Sequence, residues 1–84
     1  MILYVTVATS VRSAMRNAPA HAARIASLLP GEWTARVVSS DGDITLAMRE
    51  EAVRPEEARE VVTAALEDPA LEGWSVRDVR RVTD

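Results

Sequence analysis

Two serines and two arginines lie close together directly after the first apolar segment of the chain, at Ser10, Arg12, Ser13 and Arg16. Backbone N–H groups at the start of a helix attract anions, and guanidinium groups bind carboxylate or phosphate through paired hydrogen bonds. If a helix begins here, the segment is a candidate anion-binding loop. The alternative is a solvated connection between two elements, which is the ordinary role of such a segment.

The remaining chemistry-bearing residues form no catalytic or metal-binding pattern in the sequence. Cysteine is absent, which excludes a thiol nucleophile, a disulfide and a cysteine-based zinc site. His21 is the single histidine and lies among alanines, so we expect a surface or cap residue rather than a metal ligand. The three glycines are spaced as turn residues and not as a phosphate loop. We therefore expect no catalytic residue, no metal and no cofactor.

A second group of candidate residues comes from the alternating segment 34–50. Apolar residues occupy one parity, while the other parity carries arginine and threonine between small apolar residues. Asp41-Gly42 is a strong signal for a two-residue hairpin turn. Centring the turn there predicts that Val37 pairs with Leu46 and Arg36 with Ala47. The turn chemistry and the hydrophobic pattern give the same register.

Four further elements must position these residues. Residues 2–8 form a β-branched apolar run that predicts a central strand. Residues 10–29 show helical periodicity interrupted by Pro19, which leaves two interpretations: a long kinked helix, or a loop or short turn over 10–17 followed by a helix from about Ala18 with Asn17 as its N-cap. A second helix begins at Pro55. Residues 73–82 predict a strand with a bulge near Arg77–Asp78.

The order β-α-β-β-α-β predicts an α+β fold, and it resembles the ferredoxin-like sandwich, a four-stranded antiparallel sheet with two helices on one face. A chain of 84 residues is one domain, 1–84. The resemblance places the first and third strands at the centre of the sheet. It implies nothing about activity, because this architecture carries many unrelated functions.

The face of the sheet away from the helices is the main candidate interaction surface. Tyrosine and arginine among apolar and hydroxyl side chains are the composition of a contact surface. The alternative is that the arginines only keep an exposed sheet soluble. The predicted interaction face consists of Tyr4, Thr6, Arg36, Val38, Thr45, Arg49 and Arg77.

Charge and hydropathy narrow the classes of partner. The net charge is −3, with an excess of arginine over acid in residues 1–40 and of acid over arginine in residues 41–84. This favours self-association or an acidic protein partner, and it makes nucleic acid an unlikely ligand. The apolar N-terminal run is too short for a membrane span, so we expect a cytoplasmic protein that does not bind a membrane. Arginine without lysine, with abundant alanine and valine, indicates a GC-rich bacterial or phage coding sequence.

Three functions fit these observations. The first is a non-catalytic protein-interaction module that binds a protein partner or itself, as a homo-oligomer. The second is a regulatory domain for a small ligand, either an anion or an amino acid. The third is RNA binding, which usually stacks bases on aromatics of both central strands. Here Tyr4 has no aromatic neighbour on the third strand, so this is the weakest of the three.

Overall fold

The computed structural model describes residues 2–40, 42–49 and 53–82. These residues form four strands and three helices, and the fold is α+β. The strands form one antiparallel sheet. In chain order the elements are β1 (Ile2–Thr9), α1 (Arg12–Arg16), α2 (Ala18–Leu28), β2 (Arg36–Ser39), β3 (Ile44–Arg49), α3 (Pro55–Ala65) and β4 (Trp74–Val82).

The strand order is β2-β3-β1-β4, so β1 and β3 lie in the centre. Successive side chains of a strand point to opposite faces, and β1 shows this directly. Leu3, Val5 and Val7 are fully buried, whereas Tyr4 and Thr6 on the other parity are half-buried. One face of the sheet therefore packs against the helices, and the other, which we call the open face, does not.

The predicted hairpin register is confirmed near the strand ends and shifts near the turn. Val37 pairs with Leu46 and Arg36 pairs with Ala47, but the next pair is Ser39 with Thr45, which leaves Val38 as the extra residue of a bulge. The connection is consequently longer than the predicted two-residue turn. Gly42 has the predicted positive φ, 88°. Asp41 lies outside the described residues.

The first helical region follows the second interpretation in part. A helix begins at Ala18 with Asn17 before it, and Pro19 lies in its first turn. Residues 12–16, however, form a short helix of their own rather than a loop. Val11 and Met15 share the helical periodicity of residues 10–29 but are 44% and 39% exposed, and Ala14 is buried instead, because the break at Asn17 rotates α1 relative to α2.

Residues outside the regular elements close the two ends of the core. Trp33 lies in a 3-10 turn after α2, and Leu71 lies in another after α3; both are buried. Asp68 joins α2 to the 3-10 turn after α3. Its carboxylate accepts a hydrogen bond of 2.8 Å from Arg24 on α2 and one of 2.9 Å from the backbone N–H of Ala70 in that turn. These hydrogen bonds, that of Arg24 first, lower the pKa of the Asp68 carboxyl.

The predicted bulge in β4 is confirmed. The register against β1 shifts between Thr6 and Val7, which face Asp78 and Val76, so Arg77 is the extra residue. At the start of β4, the indole N–H of Trp74 donates a hydrogen bond of 2.9 Å to Nδ1 of His21. His21 on α2 therefore has a hydrogen-bond partner on β4.

In the part of the chain that is described, no helix is long and apolar enough to span a membrane.

Two glycines provide a matched test of local packing. Gly42 and Gly73 both have positive φ, but a Cβ at Gly42 would meet open space, whereas one at Gly73 would lie 3.1 Å from Cγ2 of Val11. Alanine at either position costs roughly 1–2 kcal/mol in backbone strain. We expect Gly73→Ala to lower the free energy of unfolding further than Gly42→Ala does, as measured by urea denaturation. Equal losses would contradict a tight contact between Gly73 and Val11.

Candidate functional site

Pairing across the sheet brings residues from all four strands into one row on the open face. Ala47 pairs with Arg36 on one side and with Tyr4 on the other, and Tyr4 pairs in turn with Arg80. The row therefore runs Arg36, Ala47, Tyr4, Arg80, from one edge of the sheet to the other. Two residues that the sequence places far apart, Arg36 and Arg80, thus share a surface with the only tyrosine.

The ring of Tyr4 contacts Arg80, an arginine that is not part of the predicted interaction face. The guanidinium carbon of Arg80 lies 5.7 Å from the centroid of the Tyr4 ring, within the range of a cation–π interaction. The bulge at Arg77 sets which side chains of β4 reach the open face. Arg80 could have been found by continuing the predicted strand three residues beyond that bulge.

The next row of the open face is polar and includes Asp78 opposite Thr6. The hydroxyl oxygens of Thr6 and Thr45 lie 3.3 Å apart and form a hydrogen bond between the two central strands. Such a cross-strand threonine pair contributes roughly 0.2–1 kcal/mol to the sheet. Thr6 and Thr45 therefore lie where the sequence predicted, but each already has a partner within the chain.

Arg77 is also engaged within the chain. Its guanidinium forms an ion pair with Asp43, the residue that precedes β3. Both side chains are exposed, so the pair contributes no more than about 1 kcal/mol and is screened by salt. Arg77 thus lies on the predicted interaction face, where it has its own carboxylate.

Arg36 and Arg49 differ from Arg77 in this respect. Both are exposed, and neither forms an ion pair with any acid in the described ranges 2–40, 42–49 and 53–82. They are diagonal neighbours across β2 and β3 and line a cleft of about 410 Å³ whose other walls are Ile2, Thr34, Ala47 and Met48. Ala47 is only 4% exposed. Among the described residues, the cleft thus places two guanidinium groups without an ion-pair partner beside the apolar residues Ile2, Ala47 and Met48, and we call it the arginine cleft.

The wall of the arginine cleft contains a strained residue. Thr34 has φ 48° and ψ 41°, in the left-handed region that β-branched residues rarely adopt. Its hydroxyl donates a hydrogen bond of 2.7 Å to the carbonyl of Trp33. Strain of this kind costs roughly 1–3 kcal/mol and is concentrated at functional sites.

The edges of the sheet are poor templates for a further strand. Val38 is 52% exposed at the bulge of β2, a strand of only four residues. The longer edge strand β4 carries its own bulge at Arg77 and several charged side chains. Short edges, bulges and charge are the features that prevent strand addition. A partner would therefore meet the open face more easily than an edge.

The candidate anion loop forms the short helix α1 and the residues before it. Ser10, Arg12, Ser13 and Arg16 are all exposed. The N–H of Val11 is already bonded to the hydroxyl of Thr9, at 3.1 Å, and the amide of Asn17 donates to the Ser13 carbonyl, at 3.0 Å. α1 has only five residues. The structure brings Arg12 and Arg16 one turn apart on this short helix, and Ser13 lines a cavity between α1 and the segment before β4.

Side chains capable of metal binding are dispersed in the structure. Across the described ranges, no group of three histidine or acidic side chains is close enough to hold a metal ion. The open sheet face and the arginine cleft together form the candidate site of this α+β protein. Comparison with protein-family models, with curated proteins and with solved structures finds no match to the chain.

The unneutralised arginines should cost folding stability, since like charges on adjacent strands repel. We expect Arg36→Gln to raise the free energy of unfolding by about 0.2–0.5 kcal/mol at low salt, and the gain to vanish at high salt. Arg77→Gln is the matched control and should lower stability, because it removes a paired charge. Both are measured by urea denaturation at micromolar protein. A loss of stability in Arg36→Gln would reveal a partner within the chain.

The strain at Thr34 gives a second test. Asparagine adopts the left-handed region more easily than threonine does. We therefore expect Thr34→Asn to raise the free energy of unfolding by about 1 kcal/mol. Thr45→Asn, in the regular part of β3, should lower it. A destabilised Thr34→Asn would show that the hydroxyl bond to Trp33 outweighs the backbone strain.

Proposed function

We propose that this protein is a small interaction module that binds another protein surface through the open face of a ferredoxin-like sheet. The strand order β2-β3-β1-β4 supports the ferredoxin-like assignment, since that sandwich also has its first and third strands at the centre. One observation carries the functional proposal: among the described residues, Arg36 and Arg49 have no ion-pair partner and lie on the uncovered side of the sheet, on which Tyr4 also lies.

The chemistry of the face favours a carboxylate-bearing protein. An arginine binds carboxylate through two parallel N–H···O bonds, which gives both energy and orientation. Tyrosine and arginine are the residue types that most often anchor protein interfaces. Tyr4 is half-buried and backed by Arg80, so little side-chain entropy remains to be lost when a partner covers it.

The size of the face favours weak binding. Four strands about 4.8 Å apart and roughly six residues long give a planar footprint of roughly 400 Å². Stable interfaces bury about 800 Å² per partner. We therefore expect a transient, salt-sensitive association rather than an obligate one.

A small carboxylate ligand is a second candidate because the arginine cleft is large enough to admit one. A regulatory domain would use the same two arginines and would not need Tyr4. A dicarboxylate such as glutarate should then raise the melting temperature through mass action. Arg49→Gln should abolish this rise, whereas Tyr4→Ala should preserve it. Nucleic acid has little support, since Tyr4 is the only aromatic residue on the described part of this face.

The protein-binding proposal is tested by sedimentation velocity over a range of protein concentrations at low salt. Tyr4→Ala and Arg36→Glu should each weaken association by about 1–3 kcal/mol, as expected for an interface anchor. Arg12→Glu is the matched control: it makes the same charge change on exposed α1 and should leave association unchanged. Circular dichroism checks that each variant is folded.

If the chain does not self-associate, the same variants test whether the open face binds a different, acidic partner. A wild-type chain that stays monomeric at millimolar concentration and low salt excludes the homo-oligomer form of the proposal. Titration with a poly-glutamate peptide then tests an acidic partner. If neither self-association nor peptide binding depends on Arg36 and Tyr4, the open face is not an interface and its arginines serve solubility.

A further inference from the structure

The outer surface of α3 carries a like-charge pair of the opposite sign to the one in the arginine cleft. Ala58 and Val62 of this helix are buried in the core, so residues about half a turn away project outward. Glu56 and Glu60 are such residues, and both are exposed. They are four positions apart, which places them on the same face of the helix.

Neither glutamate is neutralised within the described ranges. No ion pair involves Glu56 or Glu60, and exposed Arg59 between them forms none either. Glutamates at this spacing repel each other. Within the described ranges, α3 thus carries an acidic pair without an ion-pair partner, and the open sheet face carries a basic pair without one.

The two pairs also match in spacing. Residues four apart on a helix have Cβ atoms about 5–6 Å apart, and diagonal neighbours on adjacent strands lie about 7–8 Å apart. Long, flexible glutamate and arginine side chains can absorb the difference. One carboxylate can therefore meet one guanidinium at each position.

We propose that the arginine cleft binds α3 of a second copy of this chain, with Glu56 and Glu60 paired to Arg36 and Arg49. This inference rests on the proposed function and names its partner. Charge complementarity carries it, because each pair supplies what the other lacks.

The location of the two pairs determines the kind of assembly. The arginine cleft lies on the sheet side of a two-layer molecule and Glu56 and Glu60 lie on the helix side, so the same patch cannot meet itself. Such a contact is head-to-tail and generates either a ring or an open chain of copies. The inference therefore predicts assemblies larger than a dimer that grow with concentration and are suppressed by salt, instead of a closed dimer.

Complementary charge exchange tests the pairing directly. Arg36→Glu/Arg49→Glu removes the basic pair, and Glu56→Arg/Glu60→Arg removes the acidic pair. Each double variant alone should lose association by about tenfold or more, measured by sedimentation at low salt. Mixing the two should restore it, because each then offers what the other requires. Glu56→Gln/Glu60→Gln is a milder substitute if arginine in the first turn of α3 prevents folding.

A matched control separates local pairing from net charge. Glu67→Arg/Glu72→Arg makes the same charge change at two exposed acids outside the outer surface of α3. It should self-associate like the wild type, and added Arg36→Glu/Arg49→Glu should only cap its assemblies through the intact Glu56 and Glu60, which makes them shorter instead of restoring growth. If this control behaves like the α3 variant, nonspecific charge attraction explains the results and the inference is wrong.

The remaining outcomes distinguish the inference from the proposed function. If the cleft variant loses association but both α3 variants retain it, the open face binds and α3 is not its occupant. If the wild type associates and the cleft variant is unaffected, the proposed function fails as well. A wild type that forms a closed dimer, or that stays monomeric at millimolar concentration, overturns the head-to-tail contact alone.

Discussion

The burial of one side of β1 is the constraint on which the rest of the structure depends. Leu3, Val5 and Val7 are removed from water completely, and burying side chains of this size contributes roughly 1.5–3 kcal/mol each. Because side chains alternate along a strand, this burial forces Tyr4 and Thr6 onto the opposite face. The pairing of β1 with both β3 and β4 then fixes which residues of those strands join them. The open face is thus a consequence of the core.

The same constraint explains how the arginines are placed. Val37 and Leu46 lie in register, so Arg36 and Ala47 must share the open face. Ala47 is small, and it lines the arginine cleft between Arg36 and Arg49. A larger residue there would fill the space between Arg36 and Arg49. The cleft therefore needs an alanine between two arginines as much as it needs the arginines themselves.

Much of the sheet could be predicted from the sequence, because period-two patterns and turn residues act locally. The register at Val37 and the bulge at Arg77 were both readable in this way. The break at Asn17 was readable from Pro19, but its consequence for burial was not. A five-residue helix shows no complete periodic pattern, so Ala14 could not be distinguished from Met15 as the buried residue.

The candidate site was predictable in part for the same reason. Alternation along the strands indicated Tyr4, Arg36 and Arg49, whereas Arg80 depended on a bulge that shifts parity by one residue. The pairing of Arg77 with Asp43 spans 34 positions in the sequence and joins β4 to the start of β3, so no local pattern shows it. Strain at Thr34 was equally hidden, since threonine gives no signal for a left-handed backbone.

The central claim is that the open face is a binding surface, and concentration-dependent ¹H–¹⁵N NMR tests it most directly. Spectra are recorded at low salt from dilute to concentrated protein, and then at constant low concentration with the poly-glutamate peptide. The account predicts shifts in either series at Tyr4, Arg36 and Arg49, with the amides of the buried helix face unchanged. Shifts confined to α1 or the strand edges, or no shifts in either series, would contradict it.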